Sequence, residues 1–204
     1  MRMAWEESRR AFDEAAAWYV ATVGLVGDRW DTPGLGEWSV RDLVGHTSRS
    51  FVTIEEYTAR PAADVAVDSP TGYYLATRAI AAGPGVAQRG RDAGVALGAD
   101  PATTVAEMAS RVGALLDTHD GSALVTTIAG GIRLLDYLPT RTFELTVHTA
   151  DLARALARPV DVPARAAAQA LRIVCDLAVH DGKAGQLLLH ATGRDGLPAG
   201  FSVL

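Results

Sequence analysis

The segment RTFELTVHTADLARAL, Arg141–Leu156, carries three ionisable side chains on what reads as one helical stripe. At about 100° per residue, Glu144, His148 and Asp151 fall about one turn apart on the same side of a helix. The apolar positions of that stripe are Val147, Leu152 and Ala155. They predict that the stripe faces the core. Because burial of an unpaired charge is costly, Glu144 and His148 must there be paired, neutral or bound to an ion.

A divalent metal would satisfy both side chains at once. Glu144 and His148 stand at i and i+4, and a carboxylate oxygen beside an imidazole nitrogen suits zinc or a similar first-row ion. His46 is the best third ligand, because it lies beside the apolar stripe of another predicted helix and facing helices of a bundle can converge on one ion. The alternative is a plain Glu144–His148 ion pair at the bundle edge, with His46 as a hydrogen-bonded core residue.

Two further residues bear on such a site. Metal-bound imidazoles usually donate their second N–H to a carboxylate or a carbonyl, so Asp151 is a candidate to hold His148. The alternative is an acid at the helix edge that pairs with Arg154 or Arg158. His190 is the candidate for a fourth ligand, which would close the metal site and favour a structural or sensing role over catalysis.

The predicted elements are mostly helices. Apolar spacing predicts helices at 3–25, from Ser39 to about 59 and at 163–180. It also predicts helical pieces over 71–98, broken at the Gly-Pro-Gly of 83–85, and a further helix that begins at 100–101. Beta-branched residues around Gly130-Gly131 predict a hairpin at 124–135 with these glycines as its two-residue turn. Pro139 is expected to start the helix of Glu144 and His148. The chain is predicted to end in one or two short strands.

Composition excludes several classes of function. The chain has 204 residues and a net charge of -5, which suits a single soluble domain and argues against a nucleic-acid-binding surface. No apolar run is long enough to cross a membrane, and the N-terminus lacks the pattern of a signal peptide, so a cytoplasmic location is expected. The one cysteine, Cys175, falls in an apolar pattern that predicts a buried, inert thiol. Arg89 and Arg91 could meet an acidic substrate or form a solvated helix face.

Three segments carry a resemblance to a known family. They are GEWSVRDLVGHTSRS, YLPTRTFELTVHTADLARAL and TGRDGLPAGFSVL. They resemble the mycothiol-dependent maleylpyruvate isomerase family, within the DinB-like superfamily, over roughly residues 12–204. The resemblance implies a mainly α fold, a DinB-like four-helix bundle at 1–160 with a short β-hairpin, followed at 161–204 by a helix and a small β addition packed on the bundle. It also implies a divalent metal, most commonly zinc, held by His46, Glu144 and His148.

The resemblance further implies a function. Mycothiol, a low-molecular-weight thiol, would bind the metal through its sulfur and attack an electrophilic small molecule. The isomerase members carry a sizeable second domain after the bundle, whereas this sequence stops at Leu204. We therefore expect a more open pocket, or one closed by a second copy in a homodimer, and an S-transferase rather than a maleylpyruvate isomerase. A metal- or thiol-binding sensor without turnover is the third reading. The expected partners are a small-molecule thiol and electrophile, without nucleic acid or membrane.

Overall fold

The computed structural model describes residues 2–81, 83, 85–194 and 196–204 and confirms a mainly α fold with short β additions. The helices are α1 Arg2–Val23, α2 Val40–Thr58, α3 Pro70–Ala81, α4 Gly85–Ala96, α5 Pro101–Leu116, α6 Leu134–Ala155, α7 Ala164–His180 and α8 Ala184–Ala191. The strands form two antiparallel hairpins, β1 Pro33–Leu35 with β2 Trp38–Ser39 and β3 Leu124–Thr127 with β4 Gly130–Arg133. No helix in these ranges is long and apolar enough to cross a membrane.

Helices α1, α2, α5 and α6 pack side by side around the main core. From α1, Phe12 and Tyr19 place their rings 6.2 Å and 6.0 Å from the ring of Phe51 on α2. The hydroxyl of Tyr19 donates to the carbonyl oxygen of Val44 at 2.6 Å, so this buried polar group is satisfied. Each such side chain contributes about 1.5–3 kcal/mol by leaving water. The bundle therefore rests on an apolar core that does not include the candidate metal ligands.

The start of α2 sets the position of His46. Ser39 and Asp42 form a capping box: the Asp42 amide donates to Ser39 Oγ at 3.2 Å and the Ser39 amide to Asp42 Oδ2 at 3.0 Å. Just before it, the unpredicted β1–β2 hairpin presents Trp38, whose Nε1 donates to the Ala87 carbonyl of α4 at 3.0 Å. One end of α2 is thus held both by its own cap and by α4.

The helix that carries Glu144 and His148 begins earlier than predicted. The hairpin before it is confirmed, but its turn is Ile128-Ala129, two residues before Gly130-Gly131. Gly130 instead has a φ of 93°, and a Cβ on Gly131 would lie 1.9 Å from the Asp64 carbonyl oxygen. Gly130 is therefore required by its left-handed backbone conformation after the turn, and Gly131 by its close contact with the backbone of Asp64.

Strand β4 runs straight into α6, so Pro139 lies inside the helix rather than at its start. The amides of Leu134 and Leu135 donate to the carbonyls of Ala123 and Gly121 at 2.8 Å and 3.0 Å. Because those loop carbonyls accept hydrogen bonds from the first amides of α6, the helix can begin five residues before Pro139. Pro139 has no N–H, so its place inside the helix removes a single internal hydrogen bond.

The C-terminal part contradicts two predictions. Residues 184–191 form α8 where a strand was predicted, and no strand occurs at 196–204. An apolar run as short as QLLLHA does not discriminate between helix and strand, and its leucines and alanines favour helix. Cys175 is exposed, because α7 turns Ile173, Leu177 and Ala178 inward instead. Helix α7 packs on α6 and α1. The boundary at residue 160 between a bundle domain and a C-terminal part stays a prediction.

Candidate metal centre

The structure brings His46, Glu144 and His148 together. One potential ligand atom from each lies within 4.8 Å of the other two. The His46 and His148 rings stand 4.9 Å apart at 83°, and His148 Nε2 lies 3.3 Å from Glu144 Oε2. Ligand atoms about 2.0–2.2 Å from a common zinc ion would require only small movements from this arrangement. His190 is exposed on α8 and is not part of the group.

His46 has the protonation state that a ligand needs. The Trp38 ring covers it at 4.5 Å between centroids, and its Nδ1 is buried without a hydrogen-bond partner among the described residues. Burial, followed by the positive charge of His148, lowers the pKa of His46 to about 4. A neutral imidazole with an unsatisfied buried nitrogen is a feature that an ion would explain, so the residues present fit a metal.

Glu144 is an ionised carboxylate whose two oxygens have different neighbours. The Tyr74 hydroxyl on α3 donates to Oε1 at 2.8 Å, while Oε2 faces His148. Burial acts to raise the pKa of Glu144, but the hydrogen bond from His148, the charge of Arg141 and the hydrogen bond from Tyr74 together lower it to about 2. Glu144 therefore carries its charge into the site at neutral pH.

His148 lies between two carboxylates. Its Nδ1 is 3.3 Å from Asp151 Oδ2, on the opposite side of the ring from Glu144. Burial acts to lower the pKa of His148, but hydrogen bonds to Asp151 and Glu144 raise it to about 9. No ion pair joins Asp151 to Arg154 or Arg158 in the described part of the chain. Asp151 thus occupies the place of the proposed support for His148, and that role remains a prediction.

The stripe of α6 that carries these residues is only half-buried. Glu144, Val147, His148 and Asp151 keep intermediate exposure, whereas Leu152 of the same stripe is fully buried. The stripe therefore faces the core at Leu152 and only in part at the positions of the candidate ligands. The reason is that this face borders a cavity, in which polar ligand atoms can meet solvent or a bound molecule.

The cavity has a volume of about 490 Å³, within the range of small-molecule sites. Its wall contains the three candidate ligands, aromatic side chains and three arginines. The aromatic residues are Trp38, Tyr57, Tyr73 and Tyr74, and the arginines are Arg49, Arg89 and Arg141. Arg91, singled out with Arg89, instead pairs with Glu37 at 3.4 Å on the surface.

Sequence reasoning missed the aromatic residues and two of the arginines. Arg49 follows His46 by three residues, and Arg141 precedes Glu144 by three, so helical spacing alone could have placed both beside the ligands. Tyr73 and Tyr74 lie on α3, and no motif in the sequence of this helix indicates where it packs. Only the packing of α3 against α6 brings the Tyr74 hydroxyl to Glu144.

The comparisons with known proteins agree with this arrangement. The family model for the mycothiol maleylpyruvate isomerase N-terminal domain matches residues 10–153, about seven tenths of the chain, and this range includes the three candidate ligands. The family is associated with mycothiol and with metal binding in a DinB-like bundle. No curated protein and no solved structure gave a match. The chain belongs to the family of mycothiol maleylpyruvate isomerase N-terminal domains.

Proposed function

We propose that the protein is a metal-dependent enzyme that activates mycothiol for S-transfer to an electrophilic small molecule. The observation that supports this most is the convergence of two imidazoles and one carboxylate at the wall of a 490 Å³ cavity, in a chain of a mycothiol-associated family. Three protein ligands leave a coordination position open to the cavity, as in catalytic rather than structural zinc sites. A cytoplasmic location is part of the proposal, since low-molecular-weight thiols stay reduced there.

His46, Glu144 and His148 would hold the ion, and zinc suits their two nitrogens and one oxygen. Such an ion lowers the pKa of a thiol bound to it and so supplies a thiolate near neutral pH. The chain's own residues fix the ligands. Tyr74 orients one oxygen of Glu144, and Asp151 accepts from His148 Nδ1.

The cavity wall would position the two reactants. Trp38, Tyr57 and Tyr73 provide apolar surface that excludes water around the sulfur and the electrophilic carbon. In the transfer step the sulfur forms a bond to that carbon with its electron pair, and the leaving group departs with the pair of the broken bond. The thiol proton passes to solvent or buffer. No internal base is needed, because the thiol is already deprotonated.

Metal content is the first measurement. Protein purified without a histidine tag should carry close to one equivalent of metal, and His148→Ala should lose most of it. His180→Ala removes an exposed histidine of α7 outside the site and serves as the matched control. Equal metal content in wild type and His148→Ala would contradict the site. Mycothiol binding is then titrated on the loaded protein, with the His148→Ala variant as the negative control.

Turnover decides between the functions. Metal-loaded protein and mycothiol are incubated with a thiol-reactive alkylating agent in one reaction and with maleylpyruvate in another. We expect a thioether product with equal loss of thiol in the first. Formation of fumarylpyruvate without consumption of thiol would instead identify an isomerase. No turnover of either compound, despite bound metal and thiol, would identify a sensor.

A further inference from the structure

Helix α7 has a second apolar side, opposite the one that packs on the rest of the protein. The inner side buries Ala166, Ile173 and Leu177. At about 100° per residue, the apolar residues of the outer side fall within about 80° of one another: Ala164, Ala168, Leu171, Cys175 and Val179. These five residues are called the α7 stripe below. A helix with apolar residues on two opposite sides is typical of one that is covered on both.

The α7 stripe is open to solvent in the single chain. All five of its residues are exposed, with Leu171 at 60% and Val179 at 68%. Single exposed apolar residues are ordinary on protein surfaces, but this stripe continues over about four turns of one helix, roughly 22 Å. A continuous exposed apolar surface of this kind marks an interaction site.

The two ends of the α7 stripe have different shapes. At the first end, a groove of about 340 Å³ runs between α7 and α1, with Ala164 and Ala168 on one wall and Glu7 and Ala11 on the other. At the other end, the Val179 side chain projects into solvent. When two copies are placed with their α7 helices antiparallel, the projecting end of each meets the groove of the other.

The charges beside the α7 stripe complement each other in the same antiparallel arrangement. Arg172 and Asp176 follow one edge of the stripe, and neither forms an ion pair within 4.0 Å among the described residues. In a two-fold pairing, every contact occurs twice and the same edge of both helices meets. A pairing centred on position 174 places Arg172 of each copy opposite Asp176 of the other. It also brings Val179 of each copy to within about one residue, roughly 1.5 Å along the helix, of the level of Ala168 in the other.

We infer that the α7 stripe is the contact surface of a homodimer, in which two copies of this chain pack α7 against α7, antiparallel about a two-fold axis. A second copy is favoured over an unrelated partner because the surface complements itself in shape and in charge, as a two-fold interface requires. Leu171, Cys175 and Val179 supply the apolar contact, and Arg172 and Asp176 set the register. None of the described residues that line the metal cavity belongs to α7, so this surface is separate from the proposed catalytic site.

Sedimentation of the metal-loaded protein over a series of concentrations measures the dissociation constant of the dimer. We expect wild type to be largely dimeric at about 50 μM. Leu171→Glu should raise the dissociation constant at least about 100-fold, because it places a charge in the apolar contact. Val179→Glu should act in the same way and decides the question if Leu171→Glu does not fold. Val95→Glu is the matched control, because Val95 is 75% exposed on α4, outside the α7 stripe, and should leave the constant unchanged.

Charge reversal tests the register. Arg172→Glu and Asp176→Arg should each raise the dissociation constant about tenfold, since each places like charges opposite one another. The double variant that carries both changes restores opposite charges and should return the constant close to the wild-type value. In this register the two copies of Cys175 lie about 3 Å apart along the helix direction. A short bismaleimide should therefore link them in wild type and in Val95→Glu, but not in Leu171→Glu.

Three results would overturn the inference. The first is a wild type that stays monomeric at about 50 μM, whether or not it binds lipid vesicles instead. The second is a dimer that persists in both Leu171→Glu and Val179→Glu, because its interface then lies elsewhere. The third is a double charge-reversal variant that dimerises no better than its single parents. Metal content should be equal in all these variants, so the dimer and the proposed function stand or fall separately.

Discussion

At the scale of single residues, Tyr74 connects a candidate ligand to a neighbouring helix. Its buried hydroxyl lies 2.8 Å from Glu144 Oε1 and 3.1 Å from the carbonyl oxygen of Thr140, and its one hydrogen serves the carboxylate. Burial, followed by the negative charge of Glu144, raises the pKa of Tyr74, so the hydroxyl stays protonated and remains a donor. Tyr74 thereby leaves Glu144 one free oxygen, and that oxygen faces His148.

Replacing Tyr74 with Phe should weaken metal binding without unfolding the protein. Loss of a supporting hydrogen bond to a ligand typically lowers metal affinity by about 10–100-fold. The free energy of unfolding should fall by about 1 kcal/mol. Affinity is measured by competition with a chromophoric chelator. Tyr57→Phe is the matched control, because Tyr57 lines the same cavity and its hydroxyl has no hydrogen bond among the described residues. Equal affinities of Tyr74→Phe and Tyr57→Phe would contradict the role of Tyr74.

The protonation of His148 gives a second prediction at this scale. In the metal-free protein the pKa of His148 is raised to about 9, that of His46 is lowered to about 4 and that of Glu144 to about 2. At pH 7.5 only His148 therefore holds a proton that an ion must displace. Metal affinity should therefore rise as the pH approaches 9, by about tenfold per pH unit, and level off above pH 9.

Calorimetry at pH 7.5 in two buffers of different ionisation enthalpy measures this proton directly. We expect release of about one proton per ion bound. Asp151→Asn removes the charge that contributes to the raised pKa of His148 and should reduce the proton release. A value near zero for the wild type would show that His148 is already neutral in the metal-free protein.

At the scale of elements, α2 and α4 approach so closely that their contact requires glycine on both sides. A Cβ on Gly45 would lie 2.1 Å from the backbone nitrogen of Gly94, and a Cβ on Gly94 would lie 3.0 Å from the carbonyl oxygen of Arg41. The contact is between backbones, so no side chain can move aside. Because Gly45 precedes His46, this contact also sets the position of one candidate ligand.

Gly45→Ala should therefore destabilise the protein by about 2 kcal/mol or more, even though alanine favours helix. Gly113→Ala is the matched control: it also lies inside a helix, but its Cβ would meet only the end of the Arg9 side chain at 3.8 Å. There we expect no loss, or a gain of up to about 1 kcal/mol. Urea unfolding of the two variants gives the comparison, and equal stabilities would show that the α2–α4 contact is adaptable.

At the scale of the whole molecule, two apolar clusters surround the site without including it. The larger lies within the bundle, and the smaller joins α3, α6 and α7 around Phe143, Ile173 and Leu177. Removal of a metal should therefore lower the melting temperature while the bundle stays folded. With free metal at about 100 times its Kd, the stabilisation is about 2.7 kcal/mol, or roughly 5–10 °C for a chain of this size. Calorimetric melting with and without chelator measures it, and unfolding at room temperature on chelation would indicate a structural metal.

Most of the helices, the β3–β4 hairpin and the candidate ligands could be predicted from local sequence signals. Apolar spacing located α1, α2, α5 and α7 to within a few residues, because a 3.6-residue period and a capping box are local signals. The sequence also indicates that Glu144 and His148 lie on one helix face, because residues at i and i+4 of any helix do so. The prediction of a strand failed at 184–191, because a short apolar run has the same local pattern in a strand and in a helix.

The surroundings of those ligands could not be predicted, because they depend on contacts between distant segments. The distance between the His46 and His148 rings, the hydrogen bond from Tyr74 to Glu144 and the contact of the Arg141 guanidinium with the Tyr73 ring each join segments far apart in the chain. The same holds for the start of α6, where loop carbonyls of Ala123 and Gly121 replace a cap. Such contacts depend on how helices pack, and packing is set by the summed fit of many side chains rather than by any local period.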